Sequence, residues 1–121
     1  MERIHFVQHK GKSILLEDFS GLQPGAEFME TVEAARKLIA SQPPNSVLAV
    51  LDATNAHYDN EALGALKDFV KANTPYVKRS CVVGITGLLG IAVRTLTSFS
   101  GRSFDQFKTR EEALDWLAEQ A

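Results

Sequence analysis

Residues 4–7 alternate apolar and polar side chains, the two-residue period of a strand. His9-Lys10-Gly11-Lys12 supplies a turn glycine, and Ile14-Leu15-Leu16 begins a second strand that runs toward Phe19. The two read as a β-hairpin. Pro24 and Gly25 mark the opening of a helix, where the missing proline N–H costs nothing. Phe28, Val32, Ala35, Leu38 and Ile39 then fall on one helical face, and Pro43-Pro44 ends it. The continuous apolar run at 47–51, just before Asp52, suits a central strand covered on both faces.

Asp59 is placed as the N-cap of a second helix, with Tyr58 and Leu63 as a hydrophobic staple. Leu63, Leu66 and Val70 continue its apolar stripe until Asn73-Thr74-Pro75. Residues 81–85 read as the next buried strand. Gly87 and Gly90 open a third helical stretch, closed by Gly101. Its Leu88, Ile91, Ala92, Leu96 and Phe99 are assigned to the sheet. Leu89, Val93 and Thr97, spaced by four, are assigned to the outer side as a contact for a second copy or another apolar partner. Residues 104–107 form a short last strand. Thr109-Arg110-Glu111-Glu112 is a capping box for a final helix buried through Ala113, Leu114, Trp116 and Leu117, with Trp116 as its core anchor. The order ββαβαβαβα predicts a single α/β domain over residues 1–121: a mainly parallel sheet with an N-terminal β-hairpin and four helices.

The 121 residues suffice for one domain with a core that needs no staples. A formal charge of −2, from 13 basic against 15 acidic residues, argues against a dedicated nucleic-acid binder. The lone Cys81 excludes an internal disulfide and any multi-cysteine metal cluster. The chain has neither a signal-like N-terminus nor an apolar stretch of membrane-spanning length, so it reads as cytoplasmic.

Candidate chemistry is sparse. Asp52 and Thr54 stand at the carboxyl end of the central strand, where open α/β sheets place ligands, and they are expected to face Thr86 and Gly87 across that edge. The run Gly84-Ile85-Thr86-Gly87-Leu88-Leu89-Gly90 lacks the spacing and the lysine of a phosphate loop, yet its N–H groups suit a small anion. Loop capping by Asp and Thr side chains and a tight strand-to-helix turn are the simpler accounts of both segments. His5, His9 and His57 are scattered, and no metal is expected. Lys67, Lys71, Lys78 and Arg79 are opposed locally only by Asp68, a basic cluster placed around the second helix and the following loop. It suits an acidic protein surface or a phospholipid headgroup. A catalytic set would have to be drawn from Asp52, Thr54 and Lys78, and no assembled set is evident.

Four stretches carry a family resemblance: ILLEDFSGL at 14–22, QPPNSVLAVLDAT at 42–54, ALKDFVKANTPYVKRSCVVGITG at 65–87 and GRSFDQFKTREEALDWL at 101–117. Together they resemble the SpoIIAA-like (STAS/SEC14-type) family of small bacterial proteins, related in fold to anti-sigma factor antagonists. The resemblance implies a fold more firmly than a function. It implies a non-catalytic regulatory or protein-interaction domain, with no cofactor. The SEC14-type relation implies the alternative, a small-molecule or lipid-binding protein with a shallow apolar groove near the third helix. Phosphorylated antagonists of the wider superfamily carry D-S-S-G-L-G, whose second serine accepts the phosphate. Asp59-Asn60-Glu61-Ala62-Leu63-Gly64 matches it with both serines replaced, so Glu61 stands at the phosphoacceptor position. The resemblance therefore implies no serine switch, and Glu61 supplies a fixed negative charge at a helix N-terminus.

Overall fold

The computed structural model describes residues 2–120. Strands β1 (Ile4–His9) and β2 (Lys12–Asp18) pair antiparallel, with Ile4 opposite Glu17 and His9 opposite Lys12. The two turn residues, Lys10 and Gly11, both have positive φ, 50° and 80°. That is the type I′ geometry whose twist matches the flanking strands. Helix α1 (Ala26–Ala40) then leads to β3 (Val47–Asp52), α2 (Asn60–Asn73) to β4 (Val77–Val83), and α3 (Leu88–Ser100) to β5 (Asp105–Phe107). Helix α4 (Arg110–Gln120) ends the fold. Strands β2 to β5 are parallel and lie in chain order, β1-β2-β3-β4-β5.

This order dictates the layers. Three successive crossovers step the same way across the sheet, and each is right-handed by the usual rule, so α1, α2 and α3 share one face. Leu15, Phe19 and Ala49 pack there against Phe28, Val32 and Ile39 of α1 and Phe69 and Val70 of α2. Among the described residues only α4 covers the other face, where Ala113 and Leu117 meet Ile14, Leu16, Leu48, Val50, Cys81 and Val83. Its capping box forms as expected: the Glu112 N–H donates to Thr109 Oγ1 at 3.2 Å, and the Thr109 N–H donates to Glu112 Oε1 at 3.2 Å. Asp59 caps α2 by accepting from the Ala62 N–H at 2.8 Å. Tyr58 packs on the α1–α2 core cluster, and its hydroxyl donates to the Leu88 carbonyl at 2.7 Å.

Three expectations change. Trp116 is half-buried at the edge of α4, tilted against Phe107 with centroids 5.5 Å apart; the anchors are Ala113 and Leu117, four residues apart on the sheet side. Strand β4 begins at Val77, so Lys78 and Arg79 are strand residues, not loop residues. Val47 pairs with Val77 and Leu48 with Arg79, which leaves Lys78 as the extra residue of a bulge. The bulge breaks the alternation of faces, and both basic side chains are exposed.

The third change is the roll of α3. Ala92 and Val93 are buried and Leu89 and Leu96 half-buried, whereas Leu88, Ile91 and Phe99 are 71%, 47% and 48% exposed. Positions 89, 92, 93 and 96 form an apolar stripe as regular as the one assigned to the sheet, so spacing alone could not choose between them. The way the chain enters the helix chooses. Gly87 starts it at φ 56°, and Tyr58 holds its first carbonyl.

Candidate functional site

The carboxyl ends of β2 and β3 carry the same short pattern, an aspartate followed two residues later by a hydroxyl: Asp18-Phe19-Ser20 and Asp52-Ala53-Thr54. The aspartates are register partners in the parallel pair. Asp18 Oδ1 accepts from the Ser20 N–H at 3.0 Å and from its hydroxyl at 2.5 Å. Asp52 Oδ1 accepts from the Thr54 N–H at 2.9 Å and from its hydroxyl at 2.6 Å. Each carboxylate thus closes its own turn. Arg110, the first residue of α4, bridges the two, with Nε donating to Asp52 Oδ2 at 2.6 Å and NH2 to Asp18 Oδ1 at 2.9 Å. Arg3 adds NH1 bonds to the carbonyls of Asp18 and Ser20 at 3.1 and 3.0 Å. Partial burial pushes the Asp18 carboxyl up, but the Ser20 hydrogen bonds and the Arg110 charge outweigh it and hold it below its ordinary value. The cluster ties α4 to the sheet.

Asp52 is thus engaged by Thr54 and Arg110. The residue that meets Thr54 is Gly84, whose φ is 77° and where a Cβ would overlap the Thr54 side chain and backbone. Only glycine allows that approach. Thr86 and Gly87 are exposed, Thr86 beside Asn55, His57, Tyr58 and Leu88 in a shallow cleft. Glu61 is exposed in the first turn of α2. Lys78 and Arg79 border a groove with Ser80, Arg102 and Asp105. Val93 is buried and Leu89 half-buried, and both line the space between α3 and the sheet, while Leu89 also borders the Thr86 cleft. His9 Nε2 lies 2.6 Å from Asp115 Oδ1, joining the hairpin to α4. Among the described residues no three His, Cys, Asp or Glu side chains converge as metal ligands.

The inward faces of Leu89, Val93 and Leu96 close a different feature. Between the sheet and helices α1–α3 lies a cavity of about 80 Å³, lined mostly by apolar groups. Small side chains at Ala49, Ala53, Ala56 and Ala92 leave this space. Glu17 reaches into it from β2. Along that strand Ile14 and Leu16 face α4, so Leu15 and Glu17 face α1–α3. Glu17 is 5% exposed, and its Oε2 has no hydrogen-bond partner. Burial pushes its pKa from 4.5 up to about 8, against the opposing pull of the Arg102 guanidinium. Burial likewise pushes the Cys81 thiol up to about 12, which makes it an inert core thiol.

Glu17 escaped the sequence analysis because it sits in an apolar strand beside Asp18 and reads as the polar end of that strand. The available signal was parity: an acid on the Leu15–Phe19 side of a strand that is apolar on both faces.

The crystal structure of an uncharacterised DUF3478-family protein from Shewanella loihica PV-4, described as SpoIIAA-like in fold, superposes with a TM-score of 0.72. The alignment covers 94% of this chain and 91% of that one, at 19% identity. The chain has a SpoIIAA-like fold. At that identity the likeness carries the SpoIIAA-like architecture and nothing of activity. No protein-family model and no curated protein matches the chain. No helix among the described residues is long and apolar enough to cross a membrane.

Proposed function

We propose that this SpoIIAA-like domain is a non-catalytic binding protein that takes a small molecule into the cavity between the sheet and α1–α3. The unpartnered Glu17 Oε2 inside a mostly apolar space carries this reading. A buried polar group without a partner costs stability, so a site that keeps one is suited to a ligand that supplies the partner. The ligand space lies beneath α3, in place of the shallow outer groove expected from the sequence. No phosphorylation switch is included, since Glu61 stands where the superfamily's serine would be. Native mass spectrometry of the protein isolated from cells tests the reading. A stoichiometric retained small mass, lost on Leu89→Trp filling of the cavity, is expected. An apo mass throughout, with no small molecule raising stability, overturns it.

A second reading is a regulatory or protein-interaction domain, and the outer ridge of α3 favours it. Leu88, Ile91 and Phe99 are exposed there, and Lys67 and Lys71 lie 5.5 and 5.6 Å from the Phe99 ring centroid. The combination suits an apolar partner surface with acidic residues at its rim.

A further inference from the structure

Along the outer ridge of α3, toward α2, runs an open groove of about 460 Å³, lined by Lys67 of α2 and by Ile91, Arg94, Thr95, Ser98 and Phe99 of α3. Exposed Leu88 extends its apolar stripe at the start of the helix. The charge around it is one-sided. Lys67 and Lys71 are four apart on one edge of α2, with ammoniums 5.5 and 5.6 Å from the Phe99 ring centroid. Arg94 adds a third cation from α3, a helix without an acidic residue. The acids of α2, Glu61 and Asp68, lie on a different edge, since Asp68 is about 100° round the helix from Lys67, and neither lines the groove. Among the described residues none of the three cations is in an ion pair.

This surface is selective about what covers it. A second copy docked on the same stripe would set the three cations against their own counterparts. A flat bilayer does not fill a recess in which the hydroxyl residues Thr95 and Ser98 lie between Ile91 and Phe99. An extended segment would bury N–H and C=O groups with nothing to pair them, because the backbones of α2 and α3 are bonded within each helix. A helix brings its backbone bonds with it, and the stripe from Leu88 to Phe99 runs for about 16 Å, three turns of such a partner. Covering Thr95 strands no donor, since its hydroxyl already donates to the Ile91 carbonyl at 3.0 Å. Resting on the interaction reading above, we propose that this groove docks an acidic amphipathic helix of a partner protein. Its apolar side lies on Leu88, Ile91 and Phe99, and its flanking carboxylates meet Lys67, Lys71 and Arg94.

The test is a selection on the immobilised full-length protein from a phage-displayed library of amphipathic helices. Their stripe positions vary among Ala, Leu, Ile and Phe, and their flanking positions among Glu, Gln and Lys. The selected helices are expected to carry Glu at the flanks, and the best of them, made as a labelled peptide, to bind at least tenfold more tightly than its Gln version. Leu88→Ser with Ile91→Ser, changes at positions already in water, weakens it at least tenfold. Lys67→Glu with Lys71→Glu reverses the preference, so that the Lys version binds more tightly than the Glu version. Selected helices that depend on Leu88 and Ile91 but carry Gln or Lys at the flanks overturn the acidic inference and leave the ridge as a docking surface. With no helix enriched, two results assign the ridge to another occupant and overturn the proposal: vesicles of equal parts phosphatidylcholine and phosphatidylserine that bind wild type and not the double-serine variant, or self-association lost in that variant. None of these bindings overturns the proposal and counts against the interaction reading itself.

Discussion

On the α4 side of the sheet, Ala113 and Leu117 lie fully buried against Ile14, Leu16, Leu48 and Val50, whereas the α1–α3 side encloses a cavity of about 80 Å³ and a carboxyl oxygen without a partner. The strands are the same; the cover differs. A single helix settles onto a twisted sheet with nothing beside it to hold it off, and Ala113 lets it approach closely. Arg110 fastens its first turn to Asp18 and Asp52, and His9 reaches Asp115 in its second. Three helices side by side must satisfy each other as well as the sheet. The alanines along their inner boundary do not fill what remains. One face thus supplies stability, and the other sacrifices some of it for a space with chemistry in it.

Leu117→Ala tests the tight face, and the largest effect is expected there. Removing a fully buried leucine from a site with no slack costs about 2–5 kcal/mol. Denaturant unfolding measures it, and a loss under about 1 kcal/mol would mean that α4 is no better packed than the helices opposite.

The open face has its own signature in pH. The Glu17 carboxyl ionises near 4.5 in the unfolded chain and near 8 in the folded one. Between those values the folded state holds the extra proton, so stability falls as pH rises from about 4.5 to about 8. The charged or titratable groups that act on Glu17 do not blur this window: Arg102 stays cationic, and Cys81, itself raised by burial, by Asp105 and by Glu17, ionises only near 12. Glu17→Gln is expected to flatten the decline. Stability curves at pH 5, 6, 7 and 8 check it, and an equal slope in the variant would place the pH dependence elsewhere.

The smallest effect belongs to the outside of α3. Leu88→Ser and Ile91→Ser change stability by less than about 0.5 kcal/mol, because both side chains are already in water. Sedimentation velocity at high concentration, run alongside, shows whether the ridge self-associates; destabilisation beyond about 1 kcal/mol would return these residues to the core.

Much of the architecture could be read along the chain. The capping signals at Asp59 and Thr109 and the turn at Lys10-Gly11 act through neighbouring backbone groups, so a few adjacent residues specify them. The strand-and-helix order then leaves few topologies, and the right-handed crossover rule assigns three helices to one face. Asp52 was legible as a capping residue and illegible as half of an Arg110 bridge, since its partner lies 58 positions away.

Periodicity determined that residues 88–100 form a helix with an apolar side, because spacing is a property of the local chain. Which of two equally regular stripes faces inward was decided only in three dimensions, by the left-handed start at Gly87 and the Tyr58 bond to Leu88. The same holds for Glu17. Its alternation with Leu16 and Asp18 is local, but its isolation depends on α1–α3 excluding water and on Arg102 bonding to Val70 and Ser80. Burial and the absence of a partner are sums over neighbours distant in sequence, so they arise only when the whole fold closes.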